Sequence, residues 1–477
     1  FLKKKKKKIV IEFSSPNTNK PLHLGHLRNI FLGDSIYRIL KYSGYNVHKL
    51  NLINDRGIHI SKSVLSYKKF GSSKIPSKLK LKGDHFVGKY YIIFENEYKN
   101  QLIKKNSKLN ILILAKEILK KWESGDNRVI NIWNKMNQWV YNGFKSTYKK
   151  IGVSFDYTYF ESKIYLLGKT ISKAALRKNI FIKKKDNSIW VDLKKYNLDK
   201  KLLLRSNDTS LYITQDIAAS ELRYKDYGFD ESIYIVGSEQ KYNFNILFLI
   251  LKKIGRNYNL KHFSYEMVNL PDGKMKSREG NIIDADNLIK DMIFNSEVYT
   301  KKLSKNILFS KNELKDIYNK ISIGAIKYFI LKVSSNRKIL FNPKDSINFQ
   351  GDTGPFIQYV YARIFSILKK SNIFFLNNNL SINYNLKNLN FIEIKIIEYI
   401  YIFYRVLKES SEKYSPFIIS KYVLDLSKYY NRLYNKLSIL KSESVNTKRF
   451  RIYLSYKVSE IIKKSMKILG IDILEKM

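Results

Sequence analysis

"SSPNTNKPLHLGHLRN", residues 14–29, decides how the N-terminal half of this chain folds. It follows the apolar run "IVIEF" and leads into Leu27, Ile30, Phe31, Ile36, Ile39 and Leu40, whose helical spacing predicts a helix from Gly25 to a stop at Gly44. "YNVHKLNLIND", residues 45–55, then reads as a second strand. Strand, loop, helix and strand make a βαβ unit, which binds ligands at the strand's carboxyl end, where the helix begins. Two of the chain's six histidines, His23 and His26, occupy that place. The pattern H-x-G-H has a mechanical meaning there. Gly25 lets a nucleotide approach the backbone, while the helix N-terminus and two imidazoles offer donors to phosphate oxygens. Fixed donors of this kind suit in-line displacement at an α-phosphate, where charge builds on the equatorial and leaving oxygens.

Composition narrows the classes. The 477 residues are 44% hydrophobic, enough for a large core and more than one domain. With no cysteine, disulfides, thiolate nucleophiles and Cys-ligated zinc are excluded, which points to a reducing interior. No apolar run has the length of a membrane span and no signal-peptide pattern is evident, so the expectation is a soluble, cytoplasmic protein with no membrane partner. The net charge of +47 would attract nucleic acid. The excess is mostly lysine, however, and Lys, Asn, Ile, Tyr and Phe are residues that AT-rich codons favour, so charge alone decides little.

Along the chain, residues 71–130 are rich in Lys, Asn and Tyr and read as an insertion with a helical end. Strand-like runs return at "SIWVDL", "SLYITQDIA" and "SIYIVGSEQ", the last two ending in polar residues expected above the sheet. From about residue 310 helical periodicity takes over, and a separate, mainly helical domain is expected to begin near Asn342. A second constellation lies in "LPDGKMKSREGNIIDADNLI", residues 270–289, where Gly273 and Gly280 bracket Lys274, Lys276 and Arg278, three cations able to clamp pyrophosphate.

The histidine motif and this basic loop together resemble the HIGH and KMSKS signatures of class I aminoacyl-tRNA synthetases, and the surrounding residues look like the arginyl family. The resemblance also rests on "DRGIH" at 55–59, "GVSFDYTYFES" at 152–162, "LYITQDIA" at 211–218, "VGSEQ" at 236–240, "GDTGPFIQYVYARI" at 351–364 and the ending "LGIDILEKM". It implies an α/β fold, with a Rossmann-like parallel-sheet catalytic domain over 1–265 carrying the insertion. A signature-loop and stem-contact region over 266–341 and an all-α anticodon-binding domain over 342–477 would follow. The implied activity is arginine–tRNA ligation. ATP and arginine form arginyl-adenylate, and the arginyl group passes to the 2′-hydroxyl of the terminal adenosine of tRNA(Arg). The enzymes of this family usually need tRNA bound before activation.

The resemblance also assigns residues. For arginine it implies Glu12, Asn17, Tyr212, Asp216 and Gln240, with Asp216 as the guanidinium partner and Asn17 and Gln240 suited to the α-amino and carboxylate end. A planar, permanently charged guanidinium calls for a carboxylate partner. For ATP it implies His23, Gly25, His26, Lys20, Lys274, Met275, Lys276, Ser277 and Arg278, with His23, His26, Lys20 and Lys274 catalytic. Ser277 stands where the second signature lysine belongs; Lys20 is the expected substitute, with Lys276 and Arg278 as alternatives. Mg²⁺ would accompany the triphosphate, with no dedicated metal site, no structural zinc and no editing insertion. Tyr359, Tyr361, Tyr429, Tyr430 and Tyr434 are candidates for stacking on anticodon bases. A monomer is expected. The family's additional N-terminal domain, which binds the tRNA elbow, has no counterpart here, so either a segment preceding Phe1 or loss of that domain is expected. The different-class rival is a degenerate relative that binds tRNA without aminoacylating it; another class I synthetase is disfavoured by "LYITQD".

Overall fold

The computed structural model describes residues 3–71, 73–103, 110–269, 283–303, 309–371, 389–442 and 444–477. Five parallel strands form the central sheet: β1 (Lys8–Glu12), β2 (Asn46–Ile53), β3 (Tyr157–Phe160), β7 (Glu231–Gly237) and β8 (Leu260–Tyr265), in the order β3-β2-β1-β7-β8. Successive strands are added to one side of β1 as β2 and β3 and to its other side as β7 and β8, so the crevice above the carboxyl ends of β1 and β7 is the switch point at which such sheets bind ligands. Strands β4 (Ile182–Lys183), β5 (Ile189–Val191) and β6 (Lys201–Leu204) make a separate antiparallel sheet, and β9 (Val268–Asn269) pairs with β10 (Ile339–Leu340).

Helix α1 (Leu24–Tyr42) joins β1 to β2, as its spacing predicts, and the chain leaves it through Gly44 at φ 88°. α2 (Ile58–Phe70), α3 (Gly83–Ile103), α4 (Ile111–Glu123) and α5 (Asn127–Lys150) lie between β2 and β3, and most of the expected insertion is therefore helical. α6 (Glu161–Arg177), α7 (Tyr212–Tyr227) and α8 (Lys241–Lys253) complete the sheet's crossovers. The rest is α9 (Ala285–Leu303), α10 (Lys311–Leu331), the single turn α11 (Pro343–Ser346), α12 (Gly354–Lys370), α13 (Phe391–Glu412), α14 (Pro416–Lys436) and α15 (Val445–Ile468).

α1 is buried on nearly every side because the C-terminal helices pack on the face that the sheet leaves open. Several of its polar side chains find partners there. Arg28 donates to the backbone carbonyls of Arg337 at 2.8 Å and Ser335 at 3.3 Å, and Asp34 accepts from Arg38 at 2.7 Å. At the end of β1 the backbone turns through Ser14 and Ser15, both at positive φ (77° and 41°). Asn29 Oδ1 takes the Ser14 amide, Asn51 Oδ1 takes that of Ser15, and the Ser14 hydroxyl meets Tyr148 Oη at 2.7 Å. These bonds hold an unfavourable turn and aim the following loop at α1.

One expectation is corrected here. "SLYITQDIA" is not a strand: from Tyr212 it is the first turns of α7. Leu211 and Ile213 alternate as in a strand, but Ile213 and Ile217 are four apart, and Ile217 is buried with Leu203, Leu204, Ile246 and Ile250. The Thr214 hydroxyl bonds the Leu203 carbonyl at 2.8 Å, fixing the first turn. α6 crosses α7 closely at Gly168, where a Cβ would sit 2.4 Å from the Thr214 carbonyl oxygen. Gly168→Ala must push the two helices apart and should lower unfolding stability by about 1–3 kcal/mol, read from urea denaturation; an unchanged midpoint would contradict this packing.

Candidate active site

The first shared feature is a reciprocal cap. His23 precedes α1 and its Nδ1 accepts the Gly25 amide at 3.2 Å, while His26 Nδ1 accepts the His23 amide at 3.1 Å. Two helix-terminal N–H groups that would otherwise lack partners are thereby satisfied by imidazoles. A neutral ring that accepts at Nδ1 carries its proton at Nε2, so both rings present Nε2–H outward as donors. The rings lie together, centroids 3.8 Å apart. Burial, followed by the nearby Lys20 ammonium, brings the His23 pKa down to about 3; burial, followed by the adjacent His23 and Lys20, puts His26 well below the usual imidazole range. Lys20 is itself lowered by burial and has no ion-pair partner among the described residues.

Residues 22–24 also gain a strand partner. The Leu24 amide donates to the Ile283 carbonyl at 3.1 Å, the Ala285 amide to that of Leu22 at 2.9 Å, and His23 stands opposite Asp284. The chain that follows the basic loop is thus stitched to the histidine motif. Lys274, Met275, Lys276, Ser277 and Arg278 themselves lie outside the described residues.

The arginine-site expectations gather at the carboxyl ends of the strands. Asn17 pairs with Asn54 beyond β2, and Gln240 follows β7 and accepts from Asn243 at 2.8 Å. Glu12, the last residue of β1, forms a buried ion pair with Arg223 of α7, and Ser15 Oγ donates to it at 3.1 Å. Tyr212 and Asp216 are one helical turn apart on α7, with Tyr212 Oη beside Gly57. Asp216 has no ion-pair or hydrogen-bond partner for its carboxyl among the described residues, and burial pushes its pKa up to about 7.

Asp216 is not the lone acid it was expected to be. Glu161, the first residue of α6 directly after β3, is 1% exposed, and neither of its oxygens makes a hydrogen bond of ordinary geometry. Burial pushes its pKa up to about 8; Arg56 and a side-chain interaction with Gln215 oppose this, while Asp55 and Asp216 raise it further. A signal for it was present in the sequence, because "YTYFES" ends an aromatic strand on a carboxylate, as "IVIEF" does. Arg56 is held by Glu123, by Ser210 Oγ at 3.4 Å and over the Tyr165 ring at 4.2 Å. With Glu161, Tyr212 and Gln215, it lines a cavity of about 720 Å³. Of the two carboxyls it is Glu161 that lines this cavity, and Asp216 follows Gln215 on α7; a guanidinium requires an underpaired carboxyl of this kind.

Asp84, His85 and Asp286 bring donor atoms within 4.8 Å of one another, a spacing that suits a metal. The Lys82 ammonium already stands there, 2.6 Å from Asp286 and 3.0 Å from Asp84, so the cation of this cluster is the chain's own.

The cap fixes the charge state of the histidines. Imidazole NMR should find His23 and His26 neutral with the proton on Nε2 from pH 5 to 8; titration of either near pH 6.5 would contradict the geometry.

Comparison with known proteins gives the family. Residues 2–342 match the family model for the class I (R) tRNA synthetase catalytic domain and residues 357–477 that for the DALR anticodon binding domain. The chain is 46% identical over 493 aligned residues to the arginine–tRNA ligase of Amoebophilus asiaticus, covering 100% of this chain and 82% of that one. To its counterpart from Parabacteroides distasonis it is 44% identical, covering 98% and 80%. The fold matches Thermus thermophilus arginyl-tRNA synthetase with a TM-score of 0.83 at 22% identity, over 100% of this chain and 84% of that one. No described helix is long and apolar enough to cross a membrane. With the two family models covering nearly its whole length and relatives 44–46% identical over 80–82% of their own length, the chain belongs to the arginyl family of class I tRNA synthetases.

Proposed function

We propose that this chain joins arginine to tRNA(Arg) in two steps within the crevice above β1 and β7. Arginine lies with its guanidinium between Asp216 and Glu161, and Tyr212 covers it. Asn17 and Gln240 take the α-amino and carboxylate end, and Glu12, steadied by Arg223, supports that end from below. ATP arrives as its Mg²⁺ complex, with its phosphates against the Nε2–H groups of His23 and His26, where Gly25 leaves the backbone open. Lys20 supplies the positive charge that the neutral imidazoles lack, together with the signature loop through Lys274, Met275, Lys276, Ser277 and Arg278.

A carboxylate oxygen of arginine attacks the α-phosphorus as the bond to pyrophosphate breaks. Fixed N–H donors and ammonium groups stabilise the charge on the leaving oxygens, so positioning and electrostatics carry the step. The 2′-hydroxyl of the terminal adenosine then attacks the activated carbonyl, and AMP leaves. The observation that carries the arginine assignment is the pair of underpaired carboxyls at 161 and 216. Lysine would reach them with a point charge in place of a planar fork and leave one oxygen set unpaired. A tRNA binder without activity has no need of such a pair.

In the helical part, Tyr361 and Tyr430 are buried, whereas Tyr359 and Tyr434 are exposed on either side of Arg363. The Arg363 guanidinium lies 4.7 Å from one ring centre and 4.2 Å from the other. This stack is our choice for an unpaired anticodon base. We take its work to be in the cytoplasm and the acting unit to be a monomer.

Two variants test the reading in arginine-dependent charging of purified tRNA. Asp216→Asn should lower kcat/KM for arginine about a thousandfold, chiefly through KM. Lys20→Ala should instead cripple adenylate formation at saturating arginine. Wild-type charging by either variant would discard its assignment.

A further inference from the structure

The charge cluster at the start of α3 has no part in the chemistry just described, yet it grips the residues that frame His23. Lys82 Nζ reaches Asp286 at 2.6 Å, Asp84 at 3.0 Å and Thr147 Oγ1 at 2.5 Å, and Lys150 Nζ holds the other Asp286 oxygen at 3.1 Å. His85 Nε2 lies 3.3 Å from both Asp284 Oδ2 and Asp286 Oδ2. Asp284 Oδ2 is enclosed, and His85 is its ion-pair partner among the described residues. Its other oxygen accepts the amides of Asp286 at 2.8 Å and Asn287 at 3.0 Å. Residues 283–285 are the ones paired to residues 22–24. One turn beyond His85, α3 meets the loop in front of the histidines: a Cβ on Gly88 would lie 2.8 Å from Pro21 Cδ. α3 therefore touches the histidine motif from two sides.

We propose that Lys82 and His85 are positioning residues for ATP, holding residues 283–285 against residues 22–24 so that the Nε2–H groups of His23 and His26 point where phosphate binds. This rests on the reading of those histidines as the phosphate site. His85 serves best when protonated, because only the imidazolium attracts both aspartates. The hydrogen bond to Asp286 raises its pKa above the usual imidazole range against the cost of burial; Asp284 and Asp84 raise it further and Lys82 opposes them. Lys150 faces the far side of Asp286. As pH rises through that pKa the grip on Asp284 weakens, so the ATP KM rises with pH while kcat at saturating ATP holds.

The test is tRNA-dependent pyrophosphate exchange from pH 6 to 9 on the full chain, comparing wild type, His85→Gln, His85→Lys and His23→Asn. Wild type should show an ATP KM about tenfold higher at pH 9 than at pH 6. His85→Gln should hold the raised KM throughout, and His85→Lys, charged across the range, should hold the low one, with kcat changed less than about twofold. A wild-type pH profile in His85→Lys overturns the proposal, and this variant decides alone should His85→Gln fail to fold. An unchanged ATP KM in His23→Asn would sink the phosphate-site reading instead; a defective His23→Asn beside unaltered His85 variants sinks only the brace.

Discussion

Two carboxyl groups held in the protein with too few cations organise this site. Ionising Asp216 or Glu161 beneath the crevice costs solvation that no neighbouring group fully restores, and burial accordingly raises both into the neutral range. The nearest resident guanidinium, Arg56, is engaged by Glu123 and stacked on Tyr165, so it offsets part of the Glu161 penalty without occupying the site. Glu12 shows the alternative arrangement, since Arg223 neutralises it within the fold. On the function proposed above, a cationic substrate would complete the first pair and add nothing to the second. The rest of the architecture serves to keep these acids at the ends of adjacent crossovers, Glu161 after β3 and Asp216 on α7, with Gly168 letting those two helices approach.

The phosphate side follows the opposite rule. His23 and His26 are buried as neutral rings whose tautomer is set by the amides they cap, so they are directional donors that carry no charge. Positive charge is left to Lys20 and to the signature lysines. On the function proposed above, separating direction from charge would let the site hold a triphosphate without burying several cations together when ATP is away.

Much of this was legible in the sequence, for identifiable reasons. α1 announces itself through apolar steps of three and four, and H-x-G-H at its start needs no tertiary context because the caps it makes are local. The strand misreading of "SLYITQDIA" came from the alternation of Leu211 and Ile213, whereas the helix is fixed through Thr214 by Leu203 and Gly168, neither of them its neighbour in sequence. Glu161 escaped notice because a carboxylate after a short aromatic run looks like any surface acid until its neighbours are in place. The tie from Lys82 and His85 to Asp284 and Asp286 spans some two hundred residues, and no local pattern announces it. Where the catalytic part gives way to the helical part is likewise hidden from packing, because one continuous core runs through both.

The most direct measurement is the number of protons exchanged when arginine binds, obtained by calorimetry at pH 7 in buffers of different ionisation enthalpy with tRNA present. If Asp216 and Glu161 receive the guanidinium, both must ionise and protons are released, about one or more per arginine bound at that pH. Binding without proton release would mean that these acids do not face the substrate, and the arginine site as described here would be wrong.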